Sequence, residues 1–325
     1  MRRTTPVLPT RNAILPPFVR RAVMAGAFAG AALLPLAALG ATREFTLTAA
    51  STTWEIAPGQ RVTAWTYNAT VPGPELRVSA GDTIRVKLVN QLPEATTIHW
   101  HGIPVPNGMD GVPGLSAPVV PRGGQFTYEF PAPEPGTYWY HPHADAAAQI
   151  ARGLYGLLIV DPPPSAAKAW DREFSLVVGE FGGAMGAMGG SGMGMGGSSG
   201  GMGSGMSSSG MMMGTLLING KAGPNVPDLR VRKGERVLFR MVNTGNMVHP
   251  MHLHGMSWSV TATDGYAVPA AYRKDTLPLN AGERYDAILD ANNMGTWMLH
   301  CHNLQHVGEN ASGATGLTMQ VVVAP

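Results

Sequence analysis

The chain has 325 residues, 44% of them hydrophobic and only 14% charged, which excludes general disorder and supplies enough apolar material for more than one buried core. Arg2, Arg3, Arg11, Arg20 and Arg21 all lie within residues 1–40, a stretch without acids. Removing those five of 23 basic residues leaves 18 against 21 acidic ones, so no nucleic-acid footprint is expected.

In chain order, Arg20-Arg21 is followed by an apolar run from Ala22 to Leu39 and a small-residue site before Ala41. That sequence of features predicts a signal peptide over residues 1–40, and the paired arginines point to the Tat route. The expectation is an exported protein, periplasmic or secreted, with no membrane span once the segment is cleaved. Left uncleaved, the same run is just long enough for a single anchor.

Past Ala41 the pattern becomes short alternating stretches broken by Gly and Pro, which together number 69. Thr83 to Val89 puts Ile84, Val86 and Leu88 on one face and Arg85 and Lys87 on the other, the period of a half-buried strand. Phe45 and Leu47 repeat it, as do Phe126, Tyr128 and Phe130, and Phe174 to Val178 predicts a further strand. No long helical periodicity occurs, so the fold class is all-β.

The chain contains an internal duplication. Pro74–Asn90 aligns without a gap to Pro227–Asn243, and the same offset superposes His99-Trp-His-Gly102 on His252-Leu-His-Gly255. Gly136–His143 then aligns with Gly295–His302. Two copies of one β unit predict two similar domains, over 41–165 and 166–325. The second carries an insertion at 182–214 made only of Gly, Ser, Ala and Met, with nine of the chain's 19 methionines. Its composition predicts a flexible segment.

All ten histidines fall in four motifs: His99-x-His101, His141-x-His143, His249-x-x-His252-x-His254 and His300-Cys301-His302-x-x-x-His306. On a strand, two imidazoles at i and i+2 share a face, so facing pairs can surround a compact metal cluster. Cys301 is the single cysteine, which excludes an intramolecular disulfide. With His249 and His306 it makes a His₂Cys set, the donor combination of blue copper electron-transfer sites. His300 and His302 then belong to a second site, joined covalently to the first through Cys301.

These four motifs resemble those of the multicopper oxidases, the group of laccases, bilirubin oxidases and cuprous oxidases, over nearly all of the chain beyond the signal segment. The resemblance implies two cupredoxin-like Greek-key β-sandwich domains and four coppers per subunit. Type 1 copper would take His249, Cys301 and His306, and type 2 would take His99 and His252. One type 3 copper would take His101, His141 and His302, its partner His143, His254 and His300. In the first copy the counterparts of His249, Cys301 and His306 are Thr96, Pro142 and Ala147, so only the second domain can hold type 1 copper.

With two domains the chain is similar to the small laccases, whose trinuclear centres form between subunits of a homotrimer. Two further roles follow from the resemblance. Asp110 stands where the family has a proton-donating acid, beside its alternative as a turn residue before Gly111. The usual axial position after the last type 1 histidine is Ala311; Val307–Gly316 reads as a lengthened loop, placing Leu317 at the axial position with Met319 as competitor. The implied activity couples one-electron oxidation of a reductant, a phenol or Cu(I), to reduction of O₂ to water, with electrons entering at an exposed type 1 histidine. A copper-sequestration protein and a copper nitrite reductase are the alternatives; the first would explain the methionines but not His300-Cys301-His302, and the second has no use for eight trinuclear histidines.

Overall fold

The computed structural model describes residues 40–163, 166, 168–182, 214–310 and 313–325. The expected signal peptide up to residue 39, the insertion between 183 and 213, and Ala311 lie outside them.

Alternation at period two turns the chain into strands whose apolar faces meet in pairs of sheets. In the first sandwich one sheet orders β2 (Gln60–Tyr67), β1 (Thr42–Ala57), β4 (Thr83–Asn90) and β6 (Gln125–Pro131). The facing sheet orders β3 (Gly73–Ser79), β8 (Gly156–Asp161), β7 (Gly136–His141) and β5 (His99–His101). Ile84, Val86 and Leu88 of β4 are fully buried between them, beside Trp100 and Phe130.

The second sandwich has a sheet ordered β10 (Thr215–Ile218), β9 (Arg172–Phe181), β12 (Arg236–Asn243), β17 (Arg284–Asp290), β14 (Trp258–Thr263) and β15 (Tyr266–Lys274). Facing it are β11 (Leu229–Arg232), β21 (Thr318–Ala324), β18 (Gly295–Cys301), β13 (His249–Leu253) and β16 (Thr276–Leu279). β1 runs parallel to β4, and β9 parallel to β12, although each pair is distant in sequence. Such neighbours joined by long returns are the Greek-key signature. The fold is all-β, in two cupredoxin-like sandwiches. The one described α-helix, Ala146–Ala151, has six residues. No helix among the described residues is long and apolar enough to cross a membrane.

The lengthened loop Val307–Gly316 is itself a hairpin, in which β19 (Val307–Asn310) pairs antiparallel with β20 (Gly313–Gly316). The pattern is too short and too rich in glycine to show alternation. The expected insertion leaves from a hairpin stem, since Phe181 at the end of β9 pairs with Thr215 at the start of β10.

The two sandwiches meet along an apolar seam that includes Trp139, Tyr155, Leu157, Val177 and Val242. A buried charge cluster lies alongside. Arg240, 3% exposed, bonds Glu173 at 3.1 Å, Asp286 at 3.3 Å and the Thr137 hydroxyl of the first sandwich at 2.9 Å. The Thr137 carbonyl accepts from Arg284 Nε at 2.9 Å, so arginines of the second sandwich grip one residue of the first. Burial holds the Asp286 carboxyl above its ordinary range, against the pull of Arg240 and Thr137. Burial acts the same way on Glu173, but bonds from Arg77 and Arg240 outweigh it and bring that carboxyl to about 2.

Removing one partner of such a cluster strands the others in a medium that solvates charge poorly. Arg240→Ala is therefore expected to lower the unfolding free energy by about 3–5 kcal/mol. Arg236→Ala, which breaks an exposed pair with Asp290, should cost less than about 1 kcal/mol. Thermal and denaturant unfolding of the copper-free proteins measures both; equal losses would contradict the assignment of the cluster as the junction's anchor.

Candidate metal centres

Strand pairing carries the histidines to their places. β5 pairs with β7 so that His99 lies opposite His141, and β13 pairs with β18 so that His252 lies opposite His300. These are equivalent pairs in the duplication. The second member of each H-x-H motif falls at or just past a strand end.

One nitrogen of each paired ring is committed to a backbone carbonyl. Nδ1 of His99 faces the Asp110 carbonyl at 2.9 Å and Nδ1 of His252 the Asp275 carbonyl at 3.0 Å. Nδ1 of His141 faces the Pro142 carbonyl at 2.8 Å, and Nδ1 of His300 faces the Cys301 carbonyl at 2.9 Å. A carbonyl only accepts, so each Nδ1 carries the hydrogen and each Nε2 presents a lone pair.

In each set two ring nitrogens come within hydrogen-bond reach. His141 Nε2 is 3.3 Å from His101 Nδ1, and His254 Nε2 is 3.0 Å from His300 Nε2. The donor atoms of His99, His101 and His141 all lie within 4.8 Å of one another. His143 joins this set with its ring 5.5 Å from that of His99, and His302 joins the second with its ring 5.4 Å from that of His252. Burial pushes His141 down to about 3 and, together with Arg284 and His99, pushes His101 down to about 4. Both rings are thus neutral at neutral pH and available as ligands.

Among the described residues no ring contact joins the first-sandwich set (His99, His101, His141, His143) to the second-sandwich set (His252, His254, His300, His302). His101 lines a cavity of about 500 Å³ with Asp264, Glu283 and Arg284. His252 lines another, of about 540 Å³, with Arg273, Asp275 and Asp290.

The third cluster is His249, Cys301 and His306, all buried, with donor atoms within 4.8 Å of one another. Cys301 Sγ is 3.5 Å from His306 Nδ1 and 3.9 Å from His249 Nδ1, and the two nitrogens are 3.1 Å apart. Burial pushes the Cys301 thiol up to about 11, so in the metal-free pocket it stays protonated. Leu317 is buried beside them; its N–H donates to the His306 carbonyl at 3.0 Å and its carbonyl accepts from Cys301 N–H at 2.9 Å. Met319 shares the same core. An exposed type 1 histidine was expected, yet His249 is 0% and His306 2% exposed. Each has its outer nitrogen covered, His249 Nε2 by Glu180 at 2.7 Å and His306 Nε2 by the Asn303 amide at 3.0 Å.

In the first sandwich the corresponding pocket is closed. Thr96 is fully buried and donates to Gln149 Oε1 at 2.7 Å, while Gln149 Nε2 donates to the Ala95 carbonyl at 2.9 Å. Asp110 follows a 3-10 turn, Asn107–Met109, and its carboxylate is 3.2 Å from His99 Nδ1. Gly111 lets the chain pass there, having φ +80 and room for no Cβ, which would fall 1.8 Å from the Ile98 carbonyl oxygen.

Sequence reasoning missed Glu180 and Asp275. Glu180 reaches His249 from a strand 69 positions earlier, and only sheet register connects them. Asp275 carries no motif, although its place beside His252 mirrors that of Asp110 beside His99.

The donor set suits copper: imidazoles throughout and one thiolate, in a closed three-donor pocket. Comparison with known proteins agrees. The multicopper oxidase pattern matches residues 48–165 and again 202–325. The chain is 32% identical over 251 residues to the multicopper oxidase MmcO of Mycobacterium tuberculosis, covering 72% of this chain and 49% of that protein. It is 29% identical over 303 residues to a copper resistance protein A homolog of Pseudomonas syringae pv. tomato, covering 82% and 50%. The chain thus spans about half the length of these curated relatives. It superposes on the solved multicopper oxidase mgLAC with a TM-score of 0.75 at 32% identity, over 87% of this chain and 86% of that one. With both sandwiches, the three histidine clusters and the sequence match in agreement, the chain belongs to the multicopper oxidase family, whose cofactor is copper.

Proposed function

We propose that the protein is an oxidase, with domains over 41–165 and 166–325, that removes single electrons from a phenol or from Cu(I) and delivers them to O₂. The observation that carries this reading is the His249–Cys301–His306 pocket, whose thiolate lies between His300 and His302 of a second histidine set. In this reading His249, Cys301 and His306 would hold type 1 copper, with the apolar Leu317 packed beside them. His99 and His252 hold type 2. His101, His141 and His302 hold one type 3 copper, and His143, His254 and His300 the other, four coppers in all. Bound copper supplies one-electron oxidation of the reductant and four-electron reduction of O₂ to two waters.

The residues themselves do the rest. The carbonyl-bound Nδ1 groups fix which nitrogen of each ring faces the metal. Cys301 provides a covalent link of one residue on each side between the two second-sandwich clusters. The proton-donating role falls in this reading to Asp110, whose carboxylate is about a third exposed, within reach of solvent protons, and 3.2 Å from His99 Nδ1.

The two four-histidine sets lie in different sandwiches without a ring contact between them, and this supports assembly of the trinuclear centre between subunits of a homotrimer. The twin-arginine segment supports export through the Tat route to the periplasm or beyond. The methionine-rich insertion supports Cu(I) as reductant and a part in copper tolerance, because thioether sulfur prefers Cu(I). A sequestration protein would have no use for the Cys301 linkage, and a nitrite reductase none for eight further histidines.

Three outcomes test the proposal. Cys301→Ser should abolish the intense blue charge-transfer band and O₂ uptake while the other histidines still bind copper; retention of both blue colour and turnover would refute the type 1 assignment. His99→Ala and His254→Ala chains, each inactive alone, should regain part of the O₂ uptake when mixed and reassembled. A fully active monomer by light scattering would rule that arrangement out. Deleting residues 183–213 should lower Cu(I) oxidation at low micromolar copper more than oxidation of a dimethoxyphenol on the same copper-loaded sample, whereas equal rates for both would remove the support for Cu(I).

A further inference from the structure

Glu180 is the residue of the His249 environment that no motif announces. Its Oε1 lies 2.7 Å from His249 Nε2, with the carboxylate 8% and the ring 0% exposed. The other oxygen accepts from Asn246 N–H at 2.7 Å. The turn that wraps it depends on Gly245, where a Cβ would fall 2.2 Å from Glu180 Oε2. Both oxygens are therefore fixed, one of them on the ring nitrogen opposite the pocket.

The duplication provides an independent comparison. In β1–β4 Ala49 is registered with Asn90, and in β9–β12 Val178 is registered with Asn243. Asn90 and Asn243 are equivalent in the repeat, so Ala49 corresponds to Val178. The side chains agree: Asn68 Oδ1 accepts from Thr48 N–H as Asn219 Oδ1 accepts from Val177 N–H. Two residues further on, Glu180 corresponds to Ser51. The copy with Thr96, Pro142 and Ala147 in place of the type 1 donors thus also lacks the carboxylate. Glu180 accompanies the His₂Cys set and is not part of the common sandwich.

A carboxylate on the far N–H of a ligating imidazole increases the basicity of the nitrogen that faces the metal and fixes the ring's orientation. Greater donation favours the more highly charged ion, Cu(II) over Cu(I). We propose that Glu180 is a positioning residue that holds the His249 ring and lowers the reduction potential of the copper bound there. This rests on the type 1 reading above. It would oppose the effect of an apolar Leu317 beside the site, since lack of a thioether ligand raises the potential. The site's driving force would then be set by two groups of opposite effect.

Glu180→Gln keeps the shape and an oxygen that can accept from Nε2–H, and removes the charge. Redox titration followed through the blue band is expected to show a positive shift of midpoint potential, equivalent to about a tenfold change toward the reduced form against a fixed mediator, with the band retained. Glu180→Ala should shift the potential the same way and also broaden the band and weaken copper retention as the ring loosens. An unchanged potential in Glu180→Gln, with the band intact, would overturn the proposal and leave Glu180 as a cap on the turn at residues 244–247. Thermal unfolding of the copper-free variants identifies any loss caused by misfolding, in which case Glu180→Gln alone decides. A wild-type protein without a blue band when loaded with copper would instead defeat the type 1 reading itself.

Discussion

Several imidazoles crowd together in each sandwich, and the structure depends on what holds them there. A ring free to rotate would have no reason to keep one nitrogen turned toward its neighbours. Here His99, His141, His252 and His300 are each held by a hydrogen bond from Nδ1 to a backbone carbonyl, and those carbonyls belong to strands or turns that cannot yield cheaply. The sheet register, the Asp110-Gly111 turn and the pairing of β13 with β18 all serve to keep those carbonyls in position. With Nδ1 committed to a carbonyl, each of these rings keeps Nε2 for a metal, and the geometry is set by the backbone.

The junction between the sandwiches obeys a related constraint. Arg240 and Arg284 are buried, and neither tolerates movement without losing several bonds at once. Both reach Thr137, two residues before Trp139, whose ring stacks at 4.7 Å on His101. The charge cluster therefore connects mechanically with the first-sandwich histidines, and the apolar seam ensures that the connection is dry enough to be stiff.

Much of this was legible in the sequence, because it rests on local pattern. Alternation in Thr83–Val89 announced β4 and its buried face, and the ungapped match of Pro74–Asn90 to Pro227–Asn243 announced two equivalent units. The clustering of all ten histidines with Cys301 announced a metal protein. What was not legible depends on chain returning from a distance. Glu180 touches His249 only because β9 enters the sheet parallel to β12. The segment after His306 pairs as a hairpin, β19 with β20, whose glycines conceal its strands. The separation of the eight remaining histidines into two sets is a property of the fold, since spacing along the chain treats them all alike.

The buried Thr96–Gln149 pair closes the first-sandwich pocket with a hydrogen bond, where an empty pocket would have sufficed to remove the function. A hydrophobic residue at position 96 would leave the Gln149 Oε1 atom buried without its donor, a loss of about 1–3 kcal/mol. A histidine there would complete no donor set by itself, because Pro142 and Ala147 stand where the second copy has Cys301 and His306. The asymmetry between the two copies is therefore written into the packing of the first pocket as well as into its missing donors, and no single substitution reverses it.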